Sequence, residues 1–168
     1  FTALTCCKND DDITPPINNN IGETYPDSLS GVMQFRFNHV ANGSPLVFNT
    51  KQYITATGDT FTVDKLLYYI SNVKLKNSVT GKTYAEKKSY HLISAKDNAI
   101  TFSAKGIPVK EFDQLEFSIG VDAAQNTQID NSGDLTVDNG MAWDWNTGYI
   151  FFKLEGQKLA KKPASAFP

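Results

Sequence analysis

Cysteine occurs at only two positions of the 168-residue chain, Cys6 and Cys7, and they are adjacent. Everything beyond them must fold without a disulfide and without a thiolate metal ligand. Histidine, methionine and tryptophan are equally sparse, with two of each. Charged residues make up only 20% of the chain and leave a net charge of −2 with no basic cluster, so the electrostatic footprint of a nucleic-acid binder is missing. No run approaches the ~18 consecutive apolar residues of a membrane-spanning helix. Catalytic signatures are missing as well: there is no G-x-S-x-G, no H-E-x-x-H, no P-loop and no cysteine with a base partner in the folded part. Glu111, Asp113 and Glu116 fall close together, but that spacing is routine for a solvated face rather than for a glycosidase pair. These absences point away from an enzyme and away from a nucleic-acid partner.

What is abundant is aromatic. Eleven Phe and seven Tyr, in a chain that is 40% hydrophobic, suit pleated, half-buried strands better than helices. Before the strands begin, residues 1–7 close an apolar stretch on Leu4-Thr5-Cys6-Cys7. This looks like the end of a lipoprotein signal peptide, in which a small residue precedes the cysteine that is acylated. Cys7 is the better candidate, with Cys6 filling the small-residue position. Such an anchor implies an exported protein held at the cell envelope, on the outer membrane, facing the periplasm or the cell surface. Residues 8–29 (KNDDDITPPINNNIGETYPDSL) have three consecutive Asp, tandem Pro and three consecutive Asn, the composition of a flexible tether. A single folded domain is expected over residues 30–168.

From Gly31 onward the apolar pattern has period two. Met33, Phe35, Phe37 and His39 share one face of a first strand, and Ala41-Asn42-Gly43-Ser44-Pro45 supplies a turn before Leu46-Val47-Phe48. In residues 66–76, Ser71, Val73 and Leu75 oppose Asn72, Lys74 and Lys76, whereas Val63 to Ile70 is apolar enough to be a buried strand or one helical turn. Further strands are expected at Thr83-Tyr84, 89–95, 100–102, 115–120 and 148–155. Short strands separated by turns predict an all-β fold, an antiparallel β-sandwich of two sheets in the immunoglobulin-like manner. Its core is expected to hold Met33, Phe35, Phe37, Val73, Leu75, Leu115, Phe117, Ile119, Ile150, Phe152 and Leu154.

Between the last two strands, residues 121–140 are rich in Asp, Asn and Gly and too long for a simple hairpin. Asp130, Asp134 and Asp138 could ligate a hard cation, although the EF-hand spacing is not met and capping of turns is the commoner use of such residues. The segment delivers the chain to Met141-Ala142-Trp143-Asp144-Trp145, where both tryptophans sit two apart and would share a face of an extended backbone. Paired tryptophans can plug the end of a sandwich.

The pattern Met-x-Trp-x-Trp-x-x-Gly-Tyr, followed by Phe-x-Lys-Leu-Glu-Gly, resembles the signature of the MbnP-like proteins, relatives of a methanobactin-associated periplasmic copper-binding protein. Phe37-Asn38-His39 with Asn42-Gly43, the Leu67–Leu75 strand, Tyr90-His91-Leu92-Ile93 and Phe117–Asp122 follow in the family's order. The resemblance implies copper bound near a tryptophan oxidised to kynurenine by a di-haem peroxidase-like partner. Trp143 or Trp145 would then be the modified residue, and His39 and His91 the imidazole ligands. Copper-binding relatives carry a histidine after the asparagine of one loop, where this chain has Asn126-Thr127. The family also adds strands after its Lys-Leu-Glu-Gly block, so the sandwich is expected to be incomplete at the C-terminus. A different class of function is a non-catalytic recognition or structural module that binds glycan or protein at the cell surface through the aromatic-rich end. In either case the tryptophan corner and the Asx-rich loop should lie at one end of the sandwich, with His39 within reach.

Overall fold

The computed structural model describes residues 30–108, 112–128, 132–143 and 148–159. Cys6, Cys7, the tether at residues 8–29, Glu111, Asp130 and Trp145 lie outside the described residues. The strands are β1 (Ser30–Arg36), β2 (Val40–Ala41), β3 (Ser44–Pro45), β4 (Tyr53–Ile54), β5 (Thr60–Phe61), β6 (Lys65–Lys76), β7 (Thr83–Ala85), β8 (Tyr90–Ser94), β9 (Thr101–Pro108), β10 (Gln114–Ile119), β11 (Phe152–Glu155) and β12 (Lys158–Leu159). One short helix, α1 (Ala123–Asn126), and two 3-10 turns, Gly133–Leu135 and Val137–Asn139, follow β10.

β6 organises the molecule. Its first half, Leu66-Leu67-Tyr68-Tyr69-Ile70, is a strand and not a helical turn. Aromatic and β-branched side chains on both faces are what a doubly covered central strand requires. It pairs antiparallel with β8 and β7, which lie in line along one edge, and with β11 and β10, which lie in line along the other. A separate β1–β9 ribbon covers part of one face, and the small β12-β5-β4 sheet continues the β6–β11 pairing through hydrogen bonds from Asp64 N–H to the Glu155 carbonyl and from Thr62 N–H to the Gln157 carbonyl. All these pairings are antiparallel, so the all-β, two-layered architecture matches the expectation from sequence.

Successive β6 side chains point to opposite faces, and two cores result. On one face Leu66, Tyr68, Ile70, Val73 and Ile93 pack with Phe35, Phe37 and Phe102. Leu75, Ala104 and Ile107 continue that layer beneath Met33 and Tyr84. On the other face Tyr69, Val121, Leu135, Met141 and Tyr149 form a second cluster. The expected pairing of Ser71 with Val73 does not hold, because Asn72 adopts a left-handed backbone (φ +54°). It makes a bulge at which Asn72 and Val73 together face Phe117, where the register to β10 shifts between Glu116 and Ser118. The bulge moves Val73 onto the face of Ile70 and leaves Ser71 buried beside Tyr69. Asparagine tolerates this conformation better than most residues because its short amide bonds locally.

Two further expectations need correction. The strand expected from 32 to 40 ends at Arg36, and the chain re-pairs as the β2–β3 hairpin around Asn42-Gly43, both with positive φ, as a two-residue primed turn demands. The hydrogen bond from Leu46 N–H to the His39 carbonyl closes it (2.9 Å), and residues 46–48 are not a strand. The strand expected from 148 begins only at Phe152, because residues 148–150 belong to a different hairpin. More important, Leu115, Phe117, Ile119, Phe152 and Leu154 are exposed, Ile119 by 61%. Their alternation is that of a core face, and they lie opposite Leu75, Ile70, Tyr68 and Leu66. However, they sit on the outer strands β10 and β11, and the β1–β9 ribbon covers the β6–β8 side of that face. Met33, Phe35, Phe37 and Ile150 are half-buried, and Val73 and Leu75 are fully buried as expected.

Two substitutions separate these environments. Ile70→Ala, in the doubly covered strand, should lose about 2–5 kcal/mol in urea unfolding. Ile119→Ser should change stability by less than about 0.5 kcal/mol. Equal losses at the two positions would show that the outer strand is as well covered as β6.

Candidate functional site

The Asx-rich segment after β10 is built onto the Tyr69 face of β6. The Tyr69 hydroxyl donates to the Asp134 carbonyl (3.0 Å), and the Asn139 amide donates both to Tyr69 Oη (3.0 Å) and to that carbonyl (2.6 Å). The Tyr149 hydroxyl donates to the Leu135 carbonyl (2.7 Å). Burial pushes the Tyr69 phenol up to about 12, against the opposing pull of the Asn139 hydrogen bond. It therefore remains a neutral donor at physiological pH. Asp134 accepts from the Leu92 backbone N–H (2.8 Å), tying the loop to β8. Asp138 is exposed, and its backbone N–H bonds Thr136 Oγ1. The Asp134 carboxylate thus anchors the loop to the sheet, whereas at Asp138 it is Thr136 that caps the turn.

On this base stands a short hairpin. Ile150 N–H donates to the Met141 carbonyl (2.7 Å), Ala142 bridges Tyr149, and Trp143 N–H donates to the Gly148 carbonyl (3.2 Å). Met141 has no solvent exposure and Tyr149 is buried, whereas Trp143 is 73% exposed. Trp143 is therefore not a plug in the core. The hairpin lifts its indole off a buried foundation. The foundation is reinforced by α1, which Asp122 caps by accepting from Gln125 N–H (3.1 Å), while the Tyr90 hydroxyl donates to the same carboxylate. That hydrogen bond from Tyr90 holds Asp122 below the usual carboxylate range. Asn126, at the end of α1, accepts from Tyr149 N–H (2.7 Å). The family resemblance marks Asn126 only as the asparagine of one loop; its contact with the hairpin could not be read from the sequence, because Gly148 and Tyr149 are more than twenty residues away along the chain.

The histidines lie elsewhere. His39 Nε2 is 2.9 Å from the Tyr68 hydroxyl, on the face of β6 opposite Tyr69. Burial lowers its pKa, favouring the neutral ring, and raises that of Tyr68 to about 12. His91 is stacked flat on Phe102, with ring centroids 3.7 Å apart, and its Nε2 donates to Glu86 Oε2 (2.8 Å). Ser89 donates to the same oxygen (2.6 Å) and accepts from Val73 N–H (3.0 Å). Each imidazole is thus engaged with its own partner. Among the described residues no group of three or more His, Cys, Asp or Glu side chains converges as a metal site. Copper requires convergent soft or borderline ligands, so the described donors do not by themselves fit a copper centre. His39 and the Trp143 hairpin stand on opposite faces of β6, and the structure does not bring them into one cluster.

An antiparallel, two-layered β protein that presents an exposed indole on a hairpin with a buried base is the class that fold and site define. The chain belongs to the MbnP family, whose pattern it matches over residues 30–167. The solved structure of MbnP from Methylosinus trichosporium is similar to it, with a TM-score of 0.59 and 17% identity, over 78% of this chain and 56% of that one. The chain thus spans little more than half the length of that relative. No curated protein matches it in sequence.

The His91–Glu86 contact has a pH signature. Burial raises the Glu86 pKa, but the hydrogen bonds from His91 and Ser89 outweigh it, and the folded value lies below the ordinary 4.5. A depressed carboxylate stabilises the fold above its unfolded value, and that contribution is lost as pH falls through the folded value. Stability measured by urea unfolding should therefore fall more steeply with acid below about pH 5 in the wild type than in Glu86→Gln. Parallel curves would remove Glu86 from the acid response.

Proposed function

We propose that this chain is a lipid-anchored envelope protein of the MbnP type that acts by binding rather than catalysis. In this reading Cys7 carries the anchor, and the working element is the tryptophan hairpin, offered to a di-haem peroxidase-like partner for oxidation to kynurenine. The observation that carries it is Trp143, 73% exposed on a hairpin whose foundation residues Met141 and Tyr149 are buried. A large indole held in solvent by a fixed base is a substrate-like presentation, whereas a structural tryptophan would be covered. Oxidation cleaves the indole C2–C3 bond and leaves one carbonyl oxygen on each carbon, the four electrons passing to two equivalents of peroxide, with two waters as the by-product. Hydrolysis then releases the formyl carbon as formate.

Copper enters this reading only through ligands beyond those described. His39 and the tryptophan hairpin, on opposite faces of β6, do not share a donor set, so any copper site at the hairpin would draw on residues outside the described set. A second reading, recognition of a glycan or protein, draws on the same exposed indole, since aromatic faces stack on apolar sugar faces.

Mass spectrometry of the protein after incubation with a di-haem peroxidase and hydrogen peroxide is expected to show a kynurenine-sized change on the peptide carrying Trp143 and Trp145. An unchanged peptide, with retention on immobilised glycan, would favour the recognition module. For the anchor, Cys7→Ser should move the protein from the detergent phase to the aqueous phase. Continued detergent partitioning with both Cys6 and Cys7 replaced would remove the lipoprotein assignment.

A further inference from the structure

The hairpin that carries Trp143 meets α1 at one tight contact. Gly148 has φ +86°, and a methyl group built on it would stand 2.5 Å from Asn126 Oδ1, 2.6 Å from Nδ2 and 2.7 Å from Cγ. The Asn126 carboxamide therefore occupies the place of the side chain that Gly148 lacks. Its Oδ1 also accepts from Tyr149 N–H at 2.7 Å, so one amide both fills the gap and bonds the adjoining residue of the hairpin. The opposite strand of the hairpin is registered through Gly148 itself, whose carbonyl accepts from Trp143 N–H. Asn126 is in turn fixed from the sheet, because its own N–H donates to the Asp122 carbonyl (2.9 Å) and the Asp122 carboxylate is held by Tyr90 of β8. A continuous set of contacts runs from β8 through Asp122 and Asn126 to the residues opposite Trp143.

We propose that Asn126 is a positioning residue that fixes the orientation of the Trp143 hairpin through its contact with Gly148 and Tyr149. The inference deepens the function proposed above and rests on it for its consequence, which is that the indole reaches its oxidant in one orientation. A hairpin joined to the domain by its two strands alone would pivot at Gly148, and a pivoting indole samples orientations in which oxidation is slow. The carboxamide removes that freedom without touching the indole.

The test uses the whole chain in a Trp145→Phe background, so that fluorescence reports Trp143 alone. In Asn126→Ala the nanosecond component of the anisotropy decay should grow at least about twofold, as expected for a released loop. Asn126→Asp keeps an acceptor oxygen of the same reach and should restore the wild-type decay. Gly148→Ala approaches the same contact from the hairpin side and should release the indole similarly. With a di-haem peroxidase and peroxide, the rate of kynurenine formation should fall about tenfold in Asn126→Ala and recover in Asn126→Asp. A decay in Asn126→Ala that matches the parent overturns the proposal. Loss of folding in both Asn126→Ala and Gly148→Ala, read by near-ultraviolet circular dichroism, overturns it too, since the contact would then support the domain rather than the hairpin. A released indole, with no kynurenine formed even in the chain that keeps both tryptophans, leaves the positioning role standing and overturns the peroxidase reading instead.

Discussion

The double burial of one strand governs the rest of this structure. β6 is covered on both faces, and its adjacent tyrosines divide the molecule: Tyr68 belongs to the core under the β1–β9 ribbon, Tyr69 to the core under the Asx-rich loop. Because neighbouring side chains in a strand point in opposite directions, everything built on Tyr68 is separated from everything built on Tyr69 by the thickness of a sheet. His39 falls on one side and the tryptophan hairpin on the other. The hydrogen bonds of the two hydroxyls extend this division outward, to an imidazole in one case and to a loop carbonyl in the other.

That separation shapes the functional reading. The base of the tryptophan hairpin is built from several elements: a buried methionine and tyrosine, a loop pinned by Asn139, and a helix end whose amide fills the space beside Gly148. The histidines share no such common base. His91 is spent on a stack with Phe102 and a carboxylate contact, which locks the β7–β8 connection against the ribbon. His39 is the more open of the two in chemical terms, with a neutral-leaning ring and one hydroxyl partner. Family membership and the exposed indole support a role for the hairpin, whereas the described donors place no second imidazole beside His39.

The outer strands show a related asymmetry. Leu115, Phe117, Ile119, Phe152 and Leu154 continue the apolar face of β6 but remain exposed, and only the edge of the covering layer, where Phe37 meets the Phe117 ring, reaches them. β10 and β11 also form the edge of the sheet, each with β6 as its strand partner. Apolar, unpaired edges are pairing surfaces by nature, and here the face and the edge coincide.

The sequence by itself determined most of the strand pattern. The alternation in 31–36 and 114–119 and the Asn42-Gly43 turn are local properties, decided by side-chain period and by which residues accept positive φ. The aromatic run of β6 fitted a buried strand and a helical turn alike, and only its pairing along both edges decided for the strand. Five ordered blocks of residues also made the family resemblance legible, because each is read along the chain. Burial of the outer strands was not legible: a period of two says which residues share a face, but only the second layer decides whether that face is covered. The bulge at Asn72 was equally silent, since a shift of phase depends on the register with Phe117 across the sheet. The roles of Asn126, Asp134 and Asn139 in seating the hairpin, and the separation of His39 from Trp143, were decided by tertiary structure alone. Each depends on contacts between segments far apart in the chain, and hydrogen bonds of that kind leave no periodicity behind them.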